Sequence, residues 1–201
     1  AQQQDARRFL ERLGVREPNE NDELVLLLGT RYGEKSTPPS DKEYLTDLKR
    51  MMAFLEKNPT QKDTLTRYRV FKVASLSSQW GKASNVYLDE PFARTELNRL
   101  YALIVDQKLK RWPLDPWYLS CDIPTEKIVR FAEQLGCQKE FDKLYTNATC
   151  GQNPNSEYLR MAPGYKAGNV VNRDFALAPE AVLLLKLCQP ESALLVWKAL
   201  A

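Results

Sequence analysis

The sequence predicts an α+β fold that is mainly helical, with a few short strands. Most of the chain carries apolar residues at helical spacing between capping residues, and two short stretches alternate and are rich in β-branched and aromatic residues. The 201 residues are 43% hydrophobic and 27% charged, which is an ordinary globular composition. We expect a helical N-terminal part at 1–60 and a mixed α+β part at 61–201, with one continuous domain as the alternative.

Two helices are predicted near the N-terminus. Phe9, Leu10 and Leu13 form a short apolar stripe that ends at Gly14, a residue suited to the left-handed position after a helix. Asn21 is placed to cap a second helix, which carries four apolar residues and ends near Gly33.

The clearest helical pattern follows Pro38-Pro39. Ser40 and Glu43 have the spacing of a capping box, in which each side chain bonds the backbone N–H of the other residue. Apolar residues then recur at helical spacing until Asn58-Pro59 ends the pattern. The side predicted to face the core contains Tyr44, Leu45, Leu48, Met51, Met52 and Leu55.

Two strands and a helix are predicted next. Residues 68–73 alternate and are rich in strand formers, and residues 85–88 form a second short strand, with Gly81 in the connection. Asp89 is predicted to cap the following helix, with Pro91 in its first turn. The buried side of that helix is expected to contain Leu97, Leu100, Tyr101 and Ile104.

The remaining elements are predicted from shorter signals. Residues 117–119 are a candidate strand, and Pro124-Thr125 opens a helix that ends before Gly136. Residues 146–178 are polar and rich in Asn, Pro and Gly, which predicts a long loop with one strand at 169–171. Pro179 and Pro190 each start a helix. The apolar face of the last helix is predicted to contain Ala193, Leu194, Val196, Trp197 and Leu200.

The chain contains no histidine, which excludes many familiar catalytic sites. A Ser/His/Asp triad, a Cys/His pair and a His-ligated zinc all require imidazole. The motifs GxxxxGK[ST], GxGxxG and GxSxG are also missing. The acidic pairs Asp22-Glu23 and Asp89-Glu90 are explained by their places in helix first turns. We therefore predict no catalytic, cofactor-binding or metal-ligating residues, and no enzymatic activity in this chain.

The cysteines and the N-terminus bear on the cellular compartment. Cys121, Cys137, Cys150 and Cys188, with the glycosylation sequon at 147–149, are compatible with a secreted protein that has two disulfides. No CxxC pair occurs, and Cys137 and Cys188 lie beside apolar residues, which favours four reduced thiols. No apolar run reaches the length of a membrane span, and the chain begins without Met. We expect an internal segment of a cytoplasmic protein.

One stretch has the composition of a nucleic-acid contact. Cations and aromatic side chains alternate in it and could engage phosphates and stack on single-stranded bases. The alternative is that the cations complement a helix C-terminus while the aromatic residues are buried anchors, and the net charge of +3 favours this interpretation. The candidate contact residues for nucleic acid or a partner are Lys108, Lys110, Arg111, Trp112, Trp117 and Tyr118.

Several stretches form an ordered series along the chain. They are the L-x-x-L-G-V motif at 10–15, Arg31-Tyr32 with the helix Tyr44–Leu55, the stretch Trp80–Asp89, the helix Phe131–Cys137, and Asn172–Phe175 with Leu194–Leu200. In this order they resemble the region after the ATPase module in large sacsin-like and chaperone-like GHKL proteins, and they cover most of the chain.

The resemblance implies a cytosolic, non-catalytic middle portion of a multidomain ATPase. In such proteins a separate N-terminal fold holds the nucleotide through motifs that include D-x-G-x-G, and none of them is present here. We therefore expect a protein–protein interaction or coupling domain without a cofactor, which relays nucleotide-driven changes from a flanking ATPase domain to a partner or substrate. The alternatives are a nucleic-acid-contacting domain of a defence-type protein and a secreted disulfide-bonded protein.

Overall fold

The computed structural model describes residues 9, 19–75, 80–106, 109–141, 144–149 and 173–201. Helices dominate these ranges and the strands are short and paired in twos, which confirms the mainly helical α+β class. The α-helices are α1 (Glu20–Arg31), α2 (Asp41–Lys57), α3 (Asp63–Thr66), α4 (Leu97–Leu103), α5 (Thr125–Leu135), α6 (Pro179–Leu187) and α7 (Ala193–Leu200). The strands are β1 (Phe71–Lys72), β2 (Trp80–Gly81), β3 (Val86–Tyr87), β4 (Trp112–Pro113), β5 (Leu144–Thr149) and β6 (Arg173–Leu177).

Helix α1 begins two residues earlier than the sequence indicated. Asn19 is the N-cap, and its side chain accepts hydrogen bonds from the backbone N–H groups of Asn21 and Asp22, both at 3.0 Å. The Asp22 carboxylate in turn accepts from the Asn19 N–H at 3.0 Å, so a capping box forms here too. The predicted cap, Asn21, lies inside the helix. Apart from Phe9, the helix predicted at 9–14 lies outside the described residues.

Helix α2 confirms the strongest sequence signal. The Ser40 hydroxyl accepts from the Glu43 N–H at 3.4 Å, and the Glu43 carboxylate accepts from the Ser40 N–H at 3.0 Å. The helix ends at Lys57, before Asn58. Its buried residues include five of the six on the predicted core side, while Leu45 packs against the core partly buried. The buried residues are Tyr44, Asp47, Leu48, Met51, Met52, Phe54 and Leu55.

The two predicted central strands are shorter than expected, and each pairs with a strand that the sequence did not predict. Strand β1 pairs antiparallel with β2, with Phe71 opposite Gly81, so Gly81 lies in a strand and not in a connection. Strand β3 pairs parallel with β4, with Val86 opposite Trp112. A Cβ atom on Gly81 would lie 3.1 Å from side-chain carbons of both Val73 and Val86. A side chain at position 81 therefore fits only if both valine side chains shift.

The prediction that Asp89 caps a helix is wrong. Its carboxylate accepts hydrogen bonds from the N–H groups of Glu90 at 2.8 Å, Thr95 at 3.3 Å and Asn98 at 2.6 Å. Helix α4 begins only at Leu97, after Glu96 in the left-handed conformation at φ 59°. The buried Asp89 side chain thus holds the 89–95 loop together. It also accepts a hydrogen bond from Asn98 in the first turn of α4, although it is not the N-cap residue of that helix.

The strand predicted at 117–119 is also wrong. These residues lie in the 3-10 helix Pro116–Ser120, whose start is set by the proline and by the Asp115 side chain, which accepts from the Trp117 N–H at 2.8 Å. Helix α5 follows as predicted. It ends at Leu135, and the following Gly136 has a φ of 90°, the left-handed value expected for a glycine cap.

The C-terminal segment contains a strand pair and two helices. Strands β5 and β6 pair antiparallel inside a region that the sequence predicted to be mostly loop, and the strand predicted at 169–171 lies outside the described residues. Helix α6 begins at Pro179 as predicted, whereas α7 begins at Ala193 and not at Pro190.

Two hydrophobic clusters form the core. The larger gathers side chains from α1, α2, the 71–88 region and α5, with Tyr44, Trp80 and Phe131 among its members. Residues on both sides of position 60 therefore share one core. The smaller cluster gathers residues of α4, α6 and α7. Strand β3 joins the two, because Val86 belongs to the larger cluster and its neighbour Tyr87 to the smaller one.

Candidate interaction surface

Helix α7 is apolar on nearly every side. Its sequence is ALLVWKAL, in which Lys198 is the single polar residue. An amphipathic surface helix normally has polar residues on its solvent side, and a helix that is apolar all round is normally covered all round. The composition of α7 therefore calls for contacts on two sides.

One side of α7 is covered by this chain. Val196 is 2% exposed and belongs to the smaller core cluster, and Leu195 and Leu200 pack against that cluster partly buried. Away from the cluster, Leu194 is 67% exposed and Trp197 is 72% exposed. The residues predicted to share one apolar face therefore do not all face the core, because Leu194 projects about 200° and Trp197 about 100° around the helix axis from Val196.

Helix α6 shows the same division. Ala181 and Leu184 are fully buried in the smaller cluster, whereas Val182 is 37% exposed and Leu185 is 50% exposed. We call the exposed side chains of these two helices the outer apolar face, and it consists of Val182, Leu185, Leu194 and Trp197. Helices α6 and α7 contact each other, and both bury their inner sides in the smaller cluster.

Charges of both signs flank the outer apolar face. Glu191 precedes the first turn of α7 and Lys198 lies in its last turn, so opposite charges stand at the two ends of the helix. Both side chains belong to exposed residues, and neither forms an ion pair with another described residue. Apolar surface bordered by mixed charge is typical of a protein contact.

The basic residues of the predicted nucleic-acid patch are largely engaged within the protein. Lys108 lies outside the described residues. The Lys110 amino group lies 5.2 Å from the centre of the Trp112 ring, in a cation–π contact. The Arg111 guanidinium pairs with Glu180 of α6 at 3.7 Å, with both side chains mostly buried. Arg111 therefore connects the chain immediately before β4 to α6.

The aromatic residues of that patch belong to the core to different degrees. Trp112 and Trp117 are partly buried and pack against the larger cluster, and Lys72 lies 4.3 Å from the Trp117 ring centre. Tyr118 has no exposed surface. The prediction of Tyr118 as a contact residue is wrong, because its ring has no exposed face on which a base could stack.

Tyr118 instead takes part in a chain of buried hydrogen bonds. Its oxygen accepts from the Lys72 N–H at 2.9 Å, and its hydroxyl bonds the hydroxyl of Tyr44. Tyr44 donates its single proton to the Val70 carbonyl at 2.9 Å, so the proton between the two hydroxyls comes from Tyr118. Burial raises the pKa of both tyrosines, so they stay neutral and act as structural links.

A second polar link joins α1 to α2. The Asp47 carboxylate, 4% exposed, accepts from Arg31 at 2.9 Å and from the Tyr32 hydroxyl at 2.8 Å. Burial, followed by the hydrogen bond to Asp47, raises the pKa of Tyr32. The buried Asp47 carboxylate therefore has a structural role, because it connects the end of α1 to α2.

The described residues offer no cluster of three or more metal-ligating side chains, and among them Cys121, Cys137 and Cys188 are free thiols. Cys137 is buried, and burial raises the pKa of its thiol. Cys121 and Cys188 are half-buried. Within the same ranges, a shallow groove of about 330 Å³ between α2 and α5 has Met52, Leu55 and Phe131 among its lining residues.

Comparison with protein-family models, curated proteins and solved structures finds no match for this chain. None of the described helices is both long and apolar enough to cross a lipid bilayer. Among the described residues, the outer apolar face is the feature that points most directly to a function. The sequence signal for this face is the near absence of polar residues in α7. A prediction that assigns the helix a single apolar face misses this signal.

Proposed function

We propose that this chain is a non-catalytic interaction or coupling module of a larger cytoplasmic, GHKL-type ATPase. It relays nucleotide-driven changes of a flanking ATPase domain to a protein partner or substrate. The observation that carries the proposal is the outer apolar face, where Leu194 and Trp197 are two-thirds or more exposed on a helix with a single polar residue. Exposed apolar surface of this kind marks contact sites.

The exposed apolar area of the face is large enough to contribute substantially to a protein contact. The exposed parts of the four side chains amount to roughly 400 Å², given the areas that large apolar side chains bury. Covering them contributes about 10 kcal/mol at about 25 cal/mol per Å², before the cost of association. That cost is about 4–15 kcal/mol, so contacts at the rim of the face complete a stable complex.

The resemblance to the region after the ATPase module of sacsin-like proteins supports the placement beside a GHKL domain. The ATP-site motifs of that domain do not occur in this sequence, so nucleotide is expected to act from the neighbouring domain. The Arg111–Glu180 ion pair connects the chain immediately before β4 to the first turn of α6. Movement of β4 can reach α6 and the outer apolar face through this pair.

Two measurements test this proposal. Isothermal titration of Mg-ATP into this chain should give no binding heat, and saturable binding would contradict a nucleotide-free module. In the longer polypeptide with its ATPase domain, Trp197→Ser should change the steady-state ATPase rate at least twofold. Leu26→Ser is the control, because Leu26 is 70% exposed on α1, whose buried residues belong to the larger core cluster and not to the cluster that contains α6 and α7. Equal effects of the two substitutions would remove the support for coupling through the face.

A further inference from the structure

The outer apolar face has features that suit a particular partner. Helix α7 is about 12 Å long, so its outer side offers little more than Leu194 and Trp197 to a neighbour. A negative charge at Glu191 and a positive charge at Lys198 stand at its opposite ends. A surface with one acid and one base at its two ends is complementary to itself when a second copy is turned end to end.

We propose that the outer apolar face binds a second copy of this chain, with the two α7 helices packed antiparallel about a twofold axis. The inference rests on the proposed function, since it names the partner of the same face. In this arrangement Trp197 of each copy packs on Leu194 of the other. Glu191 of each copy then lies near Lys198 of the other, since the helices run in opposite directions. A parallel arrangement places like charges side by side.

The area of the face agrees with what a dimer requires. A standard interface buries about 800 Å² on each partner, and roughly 56–65% of that is apolar. The outer apolar face offers roughly 400 Å² of apolar surface from its four side chains. The face is thus close in size to the apolar part of one side of such an interface, and the polar rim that includes Glu191 and Lys198 supplies the remainder.

Sedimentation analysis of the intact chain tests the proposal. The wild-type protein should shift from 23.1 kDa to twice that mass with increasing concentration. Leu194→Ser should raise the dissociation constant at least tenfold, because the contact occurs twice in a symmetric dimer. Leu26→Ser removes the same side chain at an almost equal exposure, 70% against 67%, and should leave the constant within twofold of wild type. A wild type that stays monomeric at about 200 μM, or equal effects of the two variants, overturns the inference.

Charge exchange tests the direction of packing. Glu191→Lys and Lys198→Glu should each raise the dissociation constant about 2- to 30-fold, because two exposed ion pairs are lost in each dimer. The double variant restores opposite charges and should return to within about twofold of wild type. Glu191→Lys and Lys198→Glu change only exposed residues, so they still test the proposed dimer if Leu194→Ser fails to fold. Single variants that weaken the dimer without rescue by the double variant, or that leave it unchanged, overturn the antiparallel arrangement.

The two proposals fail in different ways. If the wild type is monomeric but its ATPase rate still depends on Trp197, the dimer proposal is contradicted and the proposed coupling function stands. If a dimer forms through Leu194 but the ATPase rate does not change in Trp197→Ser, the proposed coupling function is contradicted and the dimer proposal stands.

Discussion

Removing the hydroxyl of Tyr118 tests whether this residue belongs to the core or to a contact surface. In the structure the Tyr118 oxygen accepts from the Lys72 N–H at 2.9 Å, and its hydroxyl bonds Tyr44. Tyr118→Phe keeps the buried ring and removes both hydrogen bonds. Tyr44 still donates to the Val70 carbonyl, so the main loss is the acceptor of the Lys72 N–H.

The expected destabilisation follows from these contacts. A typical hydrogen bond contributes about 1 kcal/mol net, and a buried N–H left without an acceptor costs about 1–3 kcal/mol. We expect Tyr118→Phe to lower the free energy of unfolding by about 2 kcal/mol, which corresponds to a decrease in Tm of about 4–8 °C for a chain of this size.

Urea unfolding followed by circular dichroism measures this change. Tyr68→Phe is the matched control, because the half-buried Tyr68 hydroxyl forms no hydrogen bond with the described residues. It should stay within about 0.5 kcal/mol of wild type. A Tyr118→Phe variant as stable as wild type, or a Tyr68→Phe variant equally destabilised, would refute the assignment of Tyr118 to a buried hydrogen-bond chain.

Three further predictions follow from local contacts. Gly81→Ala should destabilise the protein by about 1–3 kcal/mol in urea unfolding, because the new methyl group meets two valine side chains at 3.1 Å. Hydrogen bonds from Ser40 lower the pKa of Glu43 in the folded state. The ionised carboxylate therefore stabilises the protein above its unfolded pKa, and this is lost as the pH falls through the lowered folded value. Glu43→Gln should accordingly be less stable than wild type near pH 7, and the difference should shrink as the pH falls below the unfolded pKa and vanish only below the lowered folded pKa. Thiol titration in denaturant should find at least the three free cysteines of the described residues, and finding none would support the secreted, disulfide-bonded alternative.

Local signals in the sequence predicted the elements whose boundaries depend on neighbouring residues. The capping box of Ser40 and Glu43 and the left-handed Gly136 are satisfied within one or two turns, so the sequence suffices to place them. Asp89 misled the prediction because its carboxylate bonds Thr95 and Asn98 across a loop. Such a loop has the same local composition as a helix start.

Tertiary packing decided what the sequence left open. Strand propensity favoured 117–119 as a strand, but Asp115 and Pro116 start a 3-10 helix there and Tyr118 fills the core. Helix α7 was predicted, but its exposed side was not. Nearly every side of α7 is apolar, so the side that faces α4 and α6 depends on how those helices pack. The apolar pattern signals an exposed apolar surface, but it does not show which side chains form that surface.

Hydrogen exchange in α7 tests the central claim most directly. The measurement uses the longer polypeptide with its ATPase domain, in the presence and absence of a non-hydrolysable ATP analogue. If the chain relays nucleotide-driven changes through the outer apolar face, the amides of Ala193–Leu200 should exchange at different rates in the two states. Trp197→Ser should abolish the difference. Identical exchange of α6 and α7 with and without nucleotide would contradict the account.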